Sequence, residues 1–206
     1  MSIQAILFDA DGVLQRPTVR WRPAFAPWFE PAATEELEAF LADILEAESA
    51  FLCASTGFDE ALAAVLTTWH RPGRLHDALR VINGIALYEE VVRVAEALQR
   101  GGIACHIASN QQASRAAHMS KQLNYRGRFT REFYSCHLGV AKPDRAFFEK
   151  VLGILRVDPG EVLFVDDVEQ NVQAARQLGI HGVVLSGASG APAVLKALAA
   201  RGLKME

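Results

Sequence analysis

The chain has 206 residues, half of them apolar and 22% charged, with a formal net charge of -3 at pH 7. That length allows one domain of ordinary size, or one carrying a modest insertion, with enough apolar residues for a sizeable core. The slight acidity speaks against nucleic acid or an anionic membrane surface as the main partner, and no apolar run is long enough to span a bilayer.

Ile3 to Phe8 is short, apolar and ends in Asp-x-Asp-Gly, which predicts a buried strand. Residues 16–33 read as irregular, with Pro17, Pro23, Pro27 and Pro31. From Thr34 to Leu52, apolar residues recur at Leu37, Phe40, Leu41, Ile44 and Leu45, a helical stripe with Thr34 as its N-cap. A second helix starts at Asp59 and stops at Arg71-Pro72-Gly73; a third runs from Leu75 to Ile82 and closes at Asn83-Gly84. Residues 16–83 therefore read as an all-helical unit.

Beyond Asn83 strands and helices alternate. Tyr88 to Arg100 is helical and Gly101-Gly102 stops it. Strands follow at Ile103–Ala108, Phe133–Cys136, Val162–Val165 and Val183–Leu185. Helices are expected at 111–123, Asp144–Leu155 and Val168–Leu178, and a last one opens at Pro192. This alternation predicts an α/β fold: a Rossmann-like, doubly wound parallel sheet, residues 1–15 and 84–206, carrying a small helical cap at 16–83. Ligands of such sheets bind at the carboxyl ends of the strands.

Those ends carry polar groups: Asp9 and Asp11 after the first strand, Ser109 and Asn110 after the second, and Asp166 and Asp167 after the fourth. Lys142 lies on the loop after the third. Four crowded carboxylates raise one another's pKa unless a cation is shared. A set of oxygen ligands without Cys or His selects a hard ion, Mg²⁺ before Zn²⁺. Lys142 and Ser109 then suit a second anionic group beside the metal, and a phosphate fits. Acids, Mg²⁺ and phosphate together point to phosphoryl transfer. One carboxylate attacks phosphorus, and another gives and takes the proton. Alternate residues of an extended chain point the same way, so Asp9 and Asp11 flank one substrate. Gly12 lets the chain turn away.

The ordered set Asp9-Ala10-Asp11-Gly12-Val13, Ser109-Asn110, Lys142-Pro143 and Val165-Asp166-Asp167 resembles the haloacid dehalogenase superfamily. The stretch from Phe133 to Gly179 is similar to the branch holding the phosphatase domain of epoxide hydrolases and sugar-1-phosphate phosphatases. The resemblance implies that Asp9 is nucleophile and Mg²⁺ ligand. It implies that Asp11 is general acid/base, with its backbone carbonyl a ligand. Asp167 would be the direct third ligand, Asp166 would lie outside it, and Ser109, Asn110 and Lys142 would hold the phosphoryl group. Dehalogenases of the family lack the second aspartate, and phosphonatases use a cap lysine that residues 16–83 do not contain. A phosphomutase and, from a different class, a phospho-accepting receiver domain are the alternatives.

The expected partner is a small phosphorylated metabolite, not nucleic acid and not a membrane. The oligomeric state is open, a homodimer included. The N-terminus, Met-Ser-Ile-Gln, lacks a basic stretch before a long apolar one, which sets a cytoplasmic expectation. Cys53, Cys105 and Cys136 are odd in number and form no CxxC, so reduced, mostly buried thiols are expected. Asp144 is read as a helix cap, Asn171 either as a support for Asp167 or the Lys142 loop or as an ordinary helix residue, and His137 as a surface residue near the mouth. Arg16, Arg20 and Arg22 read either as a solvated linker or as a basic cluster that meets a phosphorylated substrate.

Overall fold

The computed structural model describes residues 2–201. Its elements are, in order, β1 (Ala5–Phe8), β2 (Gln15–Pro17), α1 (Trp21–Phe25), α2 (Thr34–Ala50), α3 (Phe58–Thr68), α4 (Leu75–Ile82) and β3 (Ile85–Leu87). Then come α5 (Glu89–Arg100), β4 (Ala104–Ser109), α6 (Ala113–Lys121), α7 (Tyr125–Arg128), β5 (Arg131–Tyr134) and α8 (Ser135–Leu138). The chain closes with α9 (Arg145–Leu155), β6 (Val162–Asp166), α10 (Glu169–Gln177), β7 (His181–Val184) and α11 (Gly190–Ala199).

Five strands form one parallel sheet in the order β5-β4-β1-β6-β7. β1 lies at its centre, pairing Ile6 with Cys105 of β4 and with Leu163 of β6. Strand alternation sorts its side chains. Ile6 and Phe8 join the apolar cluster under α5, α6, α7 and α11, which includes Val92, Met119, Tyr125 and Leu198. Ala5 and Leu7 join the opposite cluster with Phe147, Phe148 and Val151 of α9 and Val172 of α10. The sheet is therefore covered on both faces, which explains why β1, and β6 up to its terminal Asp166, are continuous apolar runs rather than alternating. A third cluster, around Phe25, Phe40, Ile44, Leu62 and Ile82, belongs to the helices between β2 and β3. Phe51 and Trp69 pack against it.

Several local expectations need correction. Residues 16–33 are not irregular throughout: Gln15–Pro17 pairs antiparallel with Ile85–Leu87, so the chain leaves and re-enters through a two-stranded ribbon. Three-residue strands carry no readable period. Thr34 is the first helical residue and Ala33 is the cap, so the first-turn acids Glu35 and Glu36 favour this end through the helix dipole. The third sheet strand is Arg131–Tyr134, two residues earlier than its apolar run suggested, because Ser135 and Cys136 already belong to α8. The last strand is likewise shifted, to His181–Val184. Asp144 does cap α9, its Oδ1 accepting from the Ala146 N–H at 2.8 Å.

His106 sits in β4 among apolar neighbours, 2% exposed, with its Nδ1 buried and unpartnered among the described residues. Burial, aided by the Arg131 charge, pushes its pKa down to about 4. The unfolded chain takes up this proton near pH 6.5 and the folded one does not, so stability drains away as pH falls from 6.5 towards 4. His106→Leu removes that loss. Relative to wild type, the variant should gain about 2–3 kcal/mol between pH 7 and pH 4. Denaturant melts at both pH values check this; a constant difference between the two proteins contradicts it.

Candidate active site

The carboxyl ends of β1, β4 and β6 meet at one rim. Asp9 follows β1 directly, and its N–H donates to the Val165 carbonyl at 2.8 Å, extending the sheet by one residue. The loop after it is tight: the Gly12 N–H donates to Gln15 O at 2.9 Å and the Leu14 N–H to Ala10 O at 2.8 Å. Gly12 has φ +79°, and a Cβ there would stand 1.9 Å from Asp167 Oδ2. Both the left-handed backbone and the close carboxylate demand glycine.

Lys142 is the centre of charge. Its Nζ donates to Asp9 Oδ1 at 2.8 Å and to Asp166 Oδ2 at 2.6 Å, with its side chain 1% exposed. Asn110 holds the Lys142 backbone at both ends: Nδ2 donates to the Lys142 carbonyl, and Oδ1 accepts from its N–H, each at 2.8 Å. Asp166 is fully engaged. Its Oδ2 also accepts from Asn171 Nδ2 at 3.0 Å, and its Oδ1 accepts from the Val168 N–H at 2.8 Å. Asn171 thus supports Asp166, not Asp167 or the lysine loop.

Asp9, Asp166 and Asp167 bring one carboxylate oxygen each within 4.8 Å of one another. Burial raises the Asp9 pKa to about 6; Lys142 pulls it down and Asp166 pushes it up. Burial likewise raises Asp167. Lys142 stays above its ordinary value, because the Asp9 and Asp166 charges outweigh the effect of its burial. One ammonium against three carboxylates leaves an excess of negative charge, which a divalent cation would neutralise. Only oxygens are offered, a set suited to Mg²⁺.

The Asp11 carboxylate is not part of this group. Its Oδ1 accepts from Gln15 Nε2 at 3.0 Å and Arg115 Nη2 at 2.7 Å, and its Oδ2 accepts from Gln111 Nε2 at 2.6 Å. Gln15 is itself fixed by Tyr125, whose hydroxyl donates to its Oε1 at 3.0 Å. Gln111 Nε2 also donates to Ser109 Oγ at 3.1 Å. The three residues that hold Asp11 escape sequence reading: their only signal is pairing across as many as 104 positions.

A cleft of about 320 Å³ opens between these groups, lined by Asp9, Asp11, Gly12, Ser109, Asn110, Lys142, Asp167, Val168 and Asn171. All seven residues expected at the site line it except Asp166, which lies beneath, fully buried. His137 is exposed, its ring against Tyr134, and is not among the lining residues. Arg22 pairs with Glu38 of α2 at the surface, away from the cleft.

The profile of the haloacid dehalogenase-like hydrolases matches residues 3–179. The chain belongs to this family. It is 26% identical to pig bifunctional epoxide hydrolase 2 over 215 aligned residues, covering 90% of this chain and 37% of that protein. A sesquiterpene phosphatase from Aspergillus oryzae is 33% identical over 90 residues, which are 43% of this chain and 45% of that one. The chain spans less than half the length of these curated relatives. Among solved structures, a family enzyme from Bacteroides thetaiotaomicron superposes with a TM-score of 0.76 at 19% identity, covering 94% of this chain and 99% of the other. That enzyme has also been solved with magnesium and inorganic phosphate, superposing at a TM-score of 0.69, 20% identity, and 88% and 93% coverage. These structural likenesses establish the Rossmann-like fold, and the epoxide-hydrolase match agrees with the branch that the motifs resemble. No helix among the described residues is long and apolar enough to cross a membrane.

Proposed function

We propose that this hydrolase is a Mg²⁺-dependent phosphatase that cleaves a small phosphomonoester through an aspartyl-phosphate on Asp9. One observation carries the reading: three carboxylates converge within 4.8 Å, two of them bonded to a buried lysine, at the base of a cleft that also holds Ser109, Asn110 and Asp11. The magnesium–phosphate complex of the Bacteroides enzyme and the phosphatase activity in the name of the Aspergillus relative support it.

Asp9, Asp167 and the Asp11 carbonyl would hold the ion. Asp166, its oxygens committed to Lys142, Asn171 and the Val168 N–H, would support from outside. When bound, Mg²⁺ supplies charge neutralisation for the phosphoryl oxygens. Asp9 then attacks phosphorus in line with the ester oxygen, and Asp11 protonates that oxygen as it leaves. Lys142, Ser109 and Asn110 hold the transferred group. Asp11, now ionised, takes a proton from water, which attacks the aspartyl-phosphate and releases phosphate. The helices of residues 16–83 act as a cap that closes over the substrate and excludes bulk water.

The reading is tested with p-nitrophenyl phosphate and purified protein. Repeated turnover in excess Mg²⁺, falling at least about 100-fold in EDTA and returning when Mg²⁺ is restored, is the expected result. A single stoichiometric burst without turnover would instead favour the phosphomutase or receiver alternatives.

A further inference from the structure

Arg115 belongs to the core helix α6, yet it is almost wholly buried beneath the helical insertion, its side chain 10% exposed. Its guanidinium makes two different contacts. Nη2 donates to Asp11 Oδ1 at 2.7 Å, and Nη1 donates to the carbonyl of Ile82, the last residue of α4. In α2 of the insertion, burial raises the Glu48 carboxyl, and the Arg115 and Asp11 charges act on it in opposite directions. The backbone of α6 is anchored here too, because Gln112 Oε1 caps the helix by accepting from the Arg115 N–H at 3.0 Å. The arginine is thus a fixed fork between a proton-transfer carboxylate and the end of a cap helix.

Lone-pair accounting at Asp11 gives this fork a consequence. A carboxylate offers about four acceptor positions, two on each oxygen. Gln15 and Arg115 fill both positions of Oδ1. Gln111 fills one position of Oδ2. The remaining position lies on Oδ2, on a side chain 43% exposed to the cleft. A proton carried there disturbs none of the three bonds, since a protonated Oδ2 still accepts from Gln111 and Oδ1 keeps both donors. Asp11 can therefore switch between acid and base without losing its position.

We propose that Arg115 is a positioning residue for proton transfer: it holds Oδ1 of Asp11, leaves Oδ2 as the proton-carrying oxygen, and ties that aim to the docked insertion through the Ile82 carbonyl. The inference rests on the phosphatase reading above. It predicts a loss that depends on the leaving group. p-Nitrophenolate departs as a stable anion and hardly needs an acid, whereas a benzyl alkoxide must be protonated as it leaves.

The experiment compares kcat/KM for p-nitrophenyl phosphate and benzyl phosphate in wild type, Arg115→Met, Asp11→Asn and the double variant. kcat/KM covers the steps up to phosphoryl transfer to Asp9, where the leaving group departs. Arg115→Met should lose about 100-fold on benzyl phosphate and under about 5-fold on p-nitrophenyl phosphate. In the Asp11→Asn background, Arg115→Met should cost less than about 2-fold more on benzyl phosphate. Equal losses on both esters, or a full loss retained in the Asp11→Asn background, would overturn the proposal. If Arg115→Met does not fold, Arg115→Lys serves instead. A lysine can reach Asp11 or Ile82 but not both, and it must show the same ester-selective loss. Absence of wild-type turnover on both esters would overturn the phosphatase reading itself, and this inference with it.

Discussion

Asp9→Asn is expected to lower kcat on p-nitrophenyl phosphate by at least about 10⁴-fold, with a far-UV circular dichroism spectrum matching wild type. The amide keeps the size of the carboxylate but is a poor nucleophile, and it takes one negative charge from the cluster of Asp9, Asp166 and Asp167. Stability should hold or rise. Asp9 is buried beside Asp166, and desolvation already pushes its pKa to about 6, so its ionised form is costly in the folded state. The raised pKa means that the folded protein binds this proton more readily than the unfolded chain. Without metal, the ionised Asp9 therefore costs stability as pH rises from about 4 through 6, and Asn at this position removes that cost. Near-wild-type turnover in Asp9→Asn would remove Asp9 from the chemistry.

Lys142→Met acts on both fold and activity. The ammonium bonds Asp9 and Asp166 at 2.8 and 2.6 Å, and none of the three side chains is more than 10% exposed. Methionine matches the length of the stem but leaves two buried carboxylates facing each other without a cation. Removing one partner of a buried ion pair costs about 3–5 kcal/mol. The deficit should shrink as pH is lowered from 8 to 5, because Asp9, raised by burial, then also loses the Lys142 charge that lowers it, and its protonation relieves the repulsion. Mg²⁺ should restore part of the stability by supplying the missing positive charge. Activity should fall at least about 10³-fold even in saturating Mg²⁺, since the phosphoryl group also loses a fixed cation. Thermal melts at pH 5 and pH 8, with and without Mg²⁺, check the first part. A variant within about 0.5 kcal/mol of wild type at pH 8 would contradict the view that Lys142 pays for this cluster.

Much of the site was legible because chemistry and topology coincide in a parallel sheet. Asp9, Ser109 and Asp166 each follow or end an apolar strand, so their sequence position alone put them on one rim. Lys142 was legible through the same order, although its direct bonds to Asp9 and Asp166 were not. Asp11 lines the cleft, as its place after the first strand suggested, but its surroundings were hidden. Gln15, Gln111 and Arg115 are ordinary polar residues in a short strand, a loop and a helix, and only the packed fold turns them toward one carboxylate. The ribbon of Gln15–Pro17 and Ile85–Leu87 was missed because three residues show no alternation and because its pairing spans the whole helical insertion. Asn171 was read as a support for Asp167, for the Lys142 loop or for neither, and it bonds Asp166 instead: Asp166, at the strand end, turns down toward α10, while Asp167 turns out beside Gly12.

The most direct test of the mechanism is the covalent intermediate. Wild-type protein turning over p-nitrophenyl phosphate with Mg²⁺ would be quenched in acid, digested and weighed by mass spectrometry. The account predicts the added mass of one phosphoryl group on the peptide containing Asp9, and none in Asp9→Asn. Sustained wild-type turnover with no phosphorylated Asp9 peptide, or with the group on another residue, would contradict it.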